Sequence, residues 1–144
     1  MNKINTEILI NAPISKIWNT LLDFESYGKW NPFIQKIEGT PLVGTKLKVT
    51  IKPHNGKPMI FKPVLQSLSD YELCWMGNLF INGLFDGKHK FKLIQETENT
   101  VKFIHSETFS GLLSKPIFAL IGTSSQIGFR QMNEALKEAC EANE

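Results

Sequence analysis

The sequence predicts an α+β domain in which a curved antiparallel sheet wraps around one long C-terminal helix. Three observations lead there. Residues 33 to about 111 run as alternating polar and apolar stretches between turn-forming clusters. The connections between those stretches are of hairpin length, which makes neighbouring strands antiparallel. The last third then switches to an apolar period of three and four residues. One helix covers only part of such a sheet, so an apolar space is expected between them, with room for a ligand.

The elements follow in order. Ile4 to Ile10 alternates loosely and is rich in β-branched residues, the pattern of a strand. Asn11-Ala12-Pro13 ends it, and Ile14, Ile17, Trp18, Leu21 and Leu22 follow at helical spacing behind the proline. Phe24 to Trp30 holds a further turn or so of helix before Asn31-Pro32. Phe33 to Glu38 is a strand, and Lys46 to Lys52 alternates so regularly that a half-buried strand is predicted. Pro53-His54-Asn55-Gly56 is turn chemistry, with His54 expected to be exposed. Met59 to Ser67 reads as one strand interrupted by Pro63, at an edge or a bulge. Tyr71 to Asn78, Lys88 to Leu93 and Val101 to Phe109 complete the run. Leu79 to Phe85 forms an apolar loop, a core plug or a gate. Pro116 opens the terminal helix, whose stripe is Ile117, Leu120, Ile121, Ser124, Gly128, Met132, Leu136 and Ala139. Gly122 and Gly128 each cost such a helix about 1 kcal/mol relative to alanine, which implies close approach of another element or space beside it.

Composition narrows the functional classes. With 144 residues, 42% of them hydrophobic, the chain has the size of one domain spanning 1–144. Ten Phe against two Tyr point to an interior rich in ring surface with little need for hydroxyl partners. A net charge of +2 gives no electrostatic footprint for nucleic acid. No run approaches a membrane span and the start carries no apolar leader, so neither stable membrane insertion nor secretion is expected. Cys74 and Cys140 show no metal or redox spacing and suit a reducing cytoplasm, as a monomer or homodimer. Lys46, Lys48 and Lys52, and Lys88, Lys90 and Lys92, read as solvated outer faces that block edge association.

At this point a family resemblance enters. Ala12-Pro13, Ile17-Trp18 and Asp23-Phe24…Tyr27…Trp30-Asn31-Pro32-Phe33 resemble the opening of the START-like, or SRPBCC, superfamily. Trp75-Met76-Gly77, Gly87-Lys88-His89-Lys90-Phe91 and His105-Ser106-Glu107-Thr108-Phe109-Ser110-Gly111 are similar to a bacterial subgroup of it. The superfamily includes polyketide cyclase/dehydratase-like proteins, plant allergens and lipid-transfer domains. The resemblance spans about residues 3 to 138 and implies the helix-grip fold with an apolar cavity. It implies no common catalytic motif, no cofactor and no metal, and fold alone does not choose a function.

Alternation supplies the candidate site. With Lys88, Lys90, Lys92, Lys102 and Ser106 pointing to solvent, the inward set is His89, Phe91, Leu93, Val101, Phe103, His105, Glu107 and Phe109. A turn centred near Glu98 sets His89 opposite Glu107, and one centred on Thr97 sets it opposite His105. In either register two histidines and a carboxylate share one apolar neighbourhood. They are candidates for a satisfied buried pair, for orientation of a ligand's polar end, or for acid–base catalysis; two histidines and a carboxylate also have the form of a metal site, which the resemblance does not support. The expected lining is Trp30, Trp75, Phe85, Phe91, Phe103 and Phe109, with Ile121, Ser125 and Gly128 contributed by the helix. Binding of a small hydrophobic molecule such as a lipid or polyketide is the leading expectation. The alternatives are a cyclase, dehydratase or hydrolase using His89, His105 and Glu107, and a co-chaperone-like interaction module.

Overall fold

The computed structural model describes residues 2–79, 81 and 83–142. Strand β1, Asn2–Ile10, leads through Pro13 into helix α1, Ile14–Leu22. The Pro13 carbonyl accepts from the Lys16 and Ile17 amides, so the ring lacking an N–H sits just where no donor is required. Ile17 and Leu21 are the buried face of α1. A 3-10 turn, Phe24–Ser26, and a single-turn helix α2, Tyr27–Trp30, follow. Asn31 Oδ1 then accepts from the Phe33 and Ile34 amides, both at 2.9 Å, and this Asx turn directs the chain into β2, Ile34–Glu38.

The remaining strands are β3, Lys48–Ile51; β4, Met59–Phe61; β5, Val64–Ser69; β6, Glu72–Leu79; β7, Phe85–Thr97; and β8, Thr100–Ser110. They form a five-stranded sheet in the order β1-β8-β7-β6-β5 and a three-stranded sheet in the order β2-β3-β4. Every pairing is antiparallel. Helix α3, Ser114–Glu141, packs chiefly against β1 and β8. This is the helix-grip arrangement that the element order predicted.

Several boundaries differ from expectation for identifiable reasons. Met59 to Ser67 is two strands, not one. Pro63 cannot donate to a ladder, and the chain changes sheets across it: β4 pairs with β3, and β5 with β6. The regular strand at Lys46 to Lys52 shortens to Lys48–Ile51, because Lys46 bridges Val64 and the Leu47 amide donates to the Pro63 carbonyl. The two sheets are stitched together there. Ser106 keeps its outward parity but is buried on the outer face, flanked by Asn5 and Lys90 on the neighbouring strands. The Lys90 and Lys92 ammonium groups share Glu72 at 3.7 and 3.9 Å, half-exposed pairs of little net worth.

The helical stripe is shifted round α3. Leu120 is 84% exposed, whereas Phe129, Met132, Asn133, Leu136 and Cys140 are buried. Gly128 answers the question its position raised: a Cβ there would lie 2.6 Å from Cε1 of Phe33. The glycine lets that ring lie directly on the helix backbone.

Candidate functional site

The site begins as two rows of inward side chains crossing the large sheet. Leu65, Trp75, His89, Glu107 and Ile4 are successive partners along one row. Leu73, Phe91, His105 and Thr6 form the next. The β7–β8 register therefore sets His89 opposite Glu107, one of the two pairings the sequence allowed, with His105 on the diagonal.

The histidines are buried in aromatic surroundings. His105 lies flat against Phe129, ring centroids 3.9 Å apart and planes 6° off parallel, with Phe91 edge-on. His89 stacks on Trp75 at 5.2 Å. Only 1% of the His89 side chain is exposed, against 18% for Glu107. Glu107 is thus the polar group of the cluster with access to open space.

A continuous hydrogen-bond chain joins these groups to the first strand and the last helix. The Thr6 hydroxyl donates to the His105 carbonyl at 2.9 Å, and Asn133 Nδ2 donates to Thr6 Oγ1 at 2.9 Å. Asn133 Oδ1 lies 3.0 Å from His105 Nδ1. His105 Nε2 lies 2.8 Å from His89 Nε2, and His89 Nδ1 lies 3.3 Å from Glu107 Oε1.

The donors along this chain can be assigned in sequence. A carbonyl only accepts, so the Thr6 hydroxyl spends its hydrogen on His105 O and must accept from Asn133. That fixes the Asn133 amide with its oxygen toward His105, so His105 Nδ1 carries a hydrogen. Burial among rings, and then the neighbouring His89, hold the His105 imidazole well below its usual titration range, outweighing the opposing bonds to Asn133 and the Phe129 backbone. A neutral His105 with Nδ1–H has a lone pair at Nε2, so His89 Nε2 carries the hydrogen between the rings. His89 Nδ1 then faces Glu107 Oε1 with a single proton shared between them. The 2.8 Å His–His separation also differs from the roughly 3.3 Å between two nitrogens on one tetrahedral ion bound at 2.0–2.1 Å.

A partly open cavity of about 80 Å³ lies beside this pair, between the large sheet, the small sheet and α3. Of the residues expected to line it, Trp75, Phe85, His89, Glu107, Phe109, Ile121 and Ser125 do so. Phe91, Phe103 and His105 are fully buried beneath it, and Gly128 is occupied by the Phe33 ring. Trp30 lies away from it, packed on Tyr27 at 5.2 Å beside a separate surface cleft. Val49 and Ile51 of β3 and Met59 and Phe61 of β4 also line the cavity, a wall that no local feature of the sequence announces. Thr6 and Asn133 were also missed. Thr6 carries a signal, sharing inward parity with Ile4, but Asn133 lies off the apolar stripe. His54 is half-buried rather than exposed, with Nδ1 3.4 Å from Gln131 Nε2. The expected gate at residues 79–85 falls partly outside the described residues.

Fold and site together define a helix-grip protein with an internal apolar cavity. The chain belongs to the polyketide cyclase/dehydrase and lipid transport family, whose model matches residues 1–141. Its fold is similar to that of the Zhui aromatase/cyclase from Streptomyces sp. R1128, with a TM-score of 0.78 and 10% identity over 97% of this chain and 93% of that one. It is similar also to a START superfamily protein from Mycobacterium smegmatis, with a TM-score of 0.74 and 13% identity over 96% and 97%. A third similar structure is the hypothetical protein jhp0584 from Helicobacter pylori, with a TM-score of 0.75 and 14% identity over 97% and 88%. At these identities the likeness establishes the fold. Comparison with curated proteins finds no significant match. No helix among the described residues is long and apolar enough to cross a membrane.

Proposed function

We propose that this protein binds a small, mainly apolar molecule in the cavity between its sheets and α3, with one polar group of the ligand against Glu107. The observation that carries this reading is the composition of the cavity wall: Trp75, Phe85, Phe109 and the small-sheet residues supply apolar surface, and Glu107 with His89 supplies one polar spot. Family membership supports the same reading. Native mass spectrometry of gently purified protein, followed by titration with aromatic and short-chain lipid compounds, tests it. Binding should quench Trp75 fluorescence, and Ser125→Phe, which fills the cavity, should abolish it. A protein that takes up nothing from such a panel would refute the reading.

The contact of His89 Nδ1 with Glu107 Oε1, at 3.3 Å, favours a second reading, acid–base catalysis of the cyclase or dehydratase kind. Turnover that survives Glu107→Gln in full would exclude Glu107 as the acid or base.

A further inference from the structure

The hydrogen-bond chain determines which polar group a ligand must carry. Glu107 Oε1 faces His89 Nδ1, and the one shared proton lies on that line. With the proton on nitrogen, Glu107 is a carboxylate. With the proton on Oε1, Oε2 is the carbonyl oxygen of a neutral acid. In both states Oε2 only accepts hydrogen bonds. The deeper end of the chain cannot reverse this, because Thr6 and Asn133 hold His105 as the Nδ1–H form. The sheet also makes room for Oε2: a Cβ on Gly87 would come within 2.5 Å of it, and both residues line the cavity.

We infer that the cavity selects molecules bearing a hydroxyl or N–H donor at the end that meets Glu107, an apolar phenol or enol being the chemical type, and discriminates against isosteres that offer only an acceptor or no polar group. This rests on the cavity-binding reading above and refines it. A ligand with a donor satisfies Oε2. A ligand without one strips water from that oxygen and gives nothing back.

The experiment compares 4-ethylphenol with 1-ethyl-4-fluorobenzene, in which fluorine replaces the hydroxyl at similar size, by NMR titration of the full chain. The phenol should bind at least about tenfold more tightly. The assignment also predicts an unequal pair of variants. In Glu107→Gln, His89 keeps its Nε2–H and presents a lone pair at Nδ1. The amide therefore turns its NH2 to His89 and leaves its oxygen in the cavity, and the phenol preference survives. In Glu107→Met the preference disappears. Equal affinity of the two compounds for the native chain would overturn the inference and leave the binding reading standing. Binding of neither would overturn both. A folded Glu107→Gln protein that lost the preference, or a folded Glu107→Met protein that kept it, would overturn the donor assignment.

Discussion

Glu107 Oε2 occupies the space where Gly87, on the adjacent strand, has no side chain; a Cβ there would lie 2.5 Å from that oxygen. The obstructing atom is the free end of a flexible side chain, so alanine at this position displaces the carboxylate and leaves the backbone in place. Gly87→Ala should therefore unfold within about 1 kcal/mol of the native protein while losing the cavity's preference for a donor-bearing ligand. Denaturant titration and the phenol/fluoro comparison measure the two halves separately.

Gly128 predicts the opposite balance. Its neighbour is the Phe33 ring, set edge-on against the stacked Phe129 and His105 rings and unable to swing aside. Alanine gains about 1 kcal/mol of helix propensity, but the overpacking costs more. Gly128→Ala should be destabilised by a net 1–2 kcal/mol or so, read as a lower urea midpoint with an unchanged slope.

Asn133 satisfies both Thr6 and His105. Asn133→Leu removes the side-chain acceptor of the His105 Nδ1–H, leaving it the Phe129 backbone alone, and takes the donor from Thr6, at a cost of about 1–2 kcal/mol. The 15N spectrum of the native protein should show His105 as the Nδ1–H tautomer. In the variant this line should shift or broaden as the N–H loses one of its two acceptors.

His105 also makes stability depend on pH. Its folded titration lies well below the 6.5 usual for histidine, chiefly through burial and then through His89. The unfolded chain therefore binds a proton that the folded one refuses. The stabilisation is complete above pH 6.5 and is lost progressively as pH falls from there toward the folded value, at up to about 1.4 kcal/mol per pH unit. Urea unfolding at a series of pH values from 7.5 down to 5 should show this decline, and folded His105 should remain neutral by NMR throughout. A His105 that becomes protonated near pH 6 in the folded state would contradict it.

The thiols should be unreactive. Burial pushes both Cys74 and Cys140 up in titration, and each is about 2% exposed. An aromatic disulfide reagent should label them slowly in native protein and at once in denaturant.

The large sheet and most of the cluster were legible because period-two alternation in β7 and β8 leaves one consistent assignment of faces. His89, His105 and Glu107 followed from parity, and hairpin arithmetic reduced their pairing to two choices. What escaped was long-range. Nothing local announces that Pro63 hands the chain from one sheet to another, so the small-sheet wall of the cavity was invisible. The phase of α3 was also lost, since glycines and serines blur its apolar face and hid Phe129 and Asn133. For Trp30 the turn chemistry of Asn31-Pro32 fits both a packed corner and the pocket mouth, and Tyr27 draws the ring to the corner where α2 ends.

The bonds from Thr6 to His105 and from Asn133 to Thr6 span 99 and 127 residues of chain. His89 and Glu107, by contrast, are only 18 apart, within one hairpin. The two halves of the cluster therefore have different folding histories. The carboxylate–imidazole pair can meet as soon as the hairpin closes, while the tautomer lock waits until β1 and the far end of α3 have docked. On the ribosome, a chain that has made its hairpin but not residue 133 already exposes the polar pair without the lock.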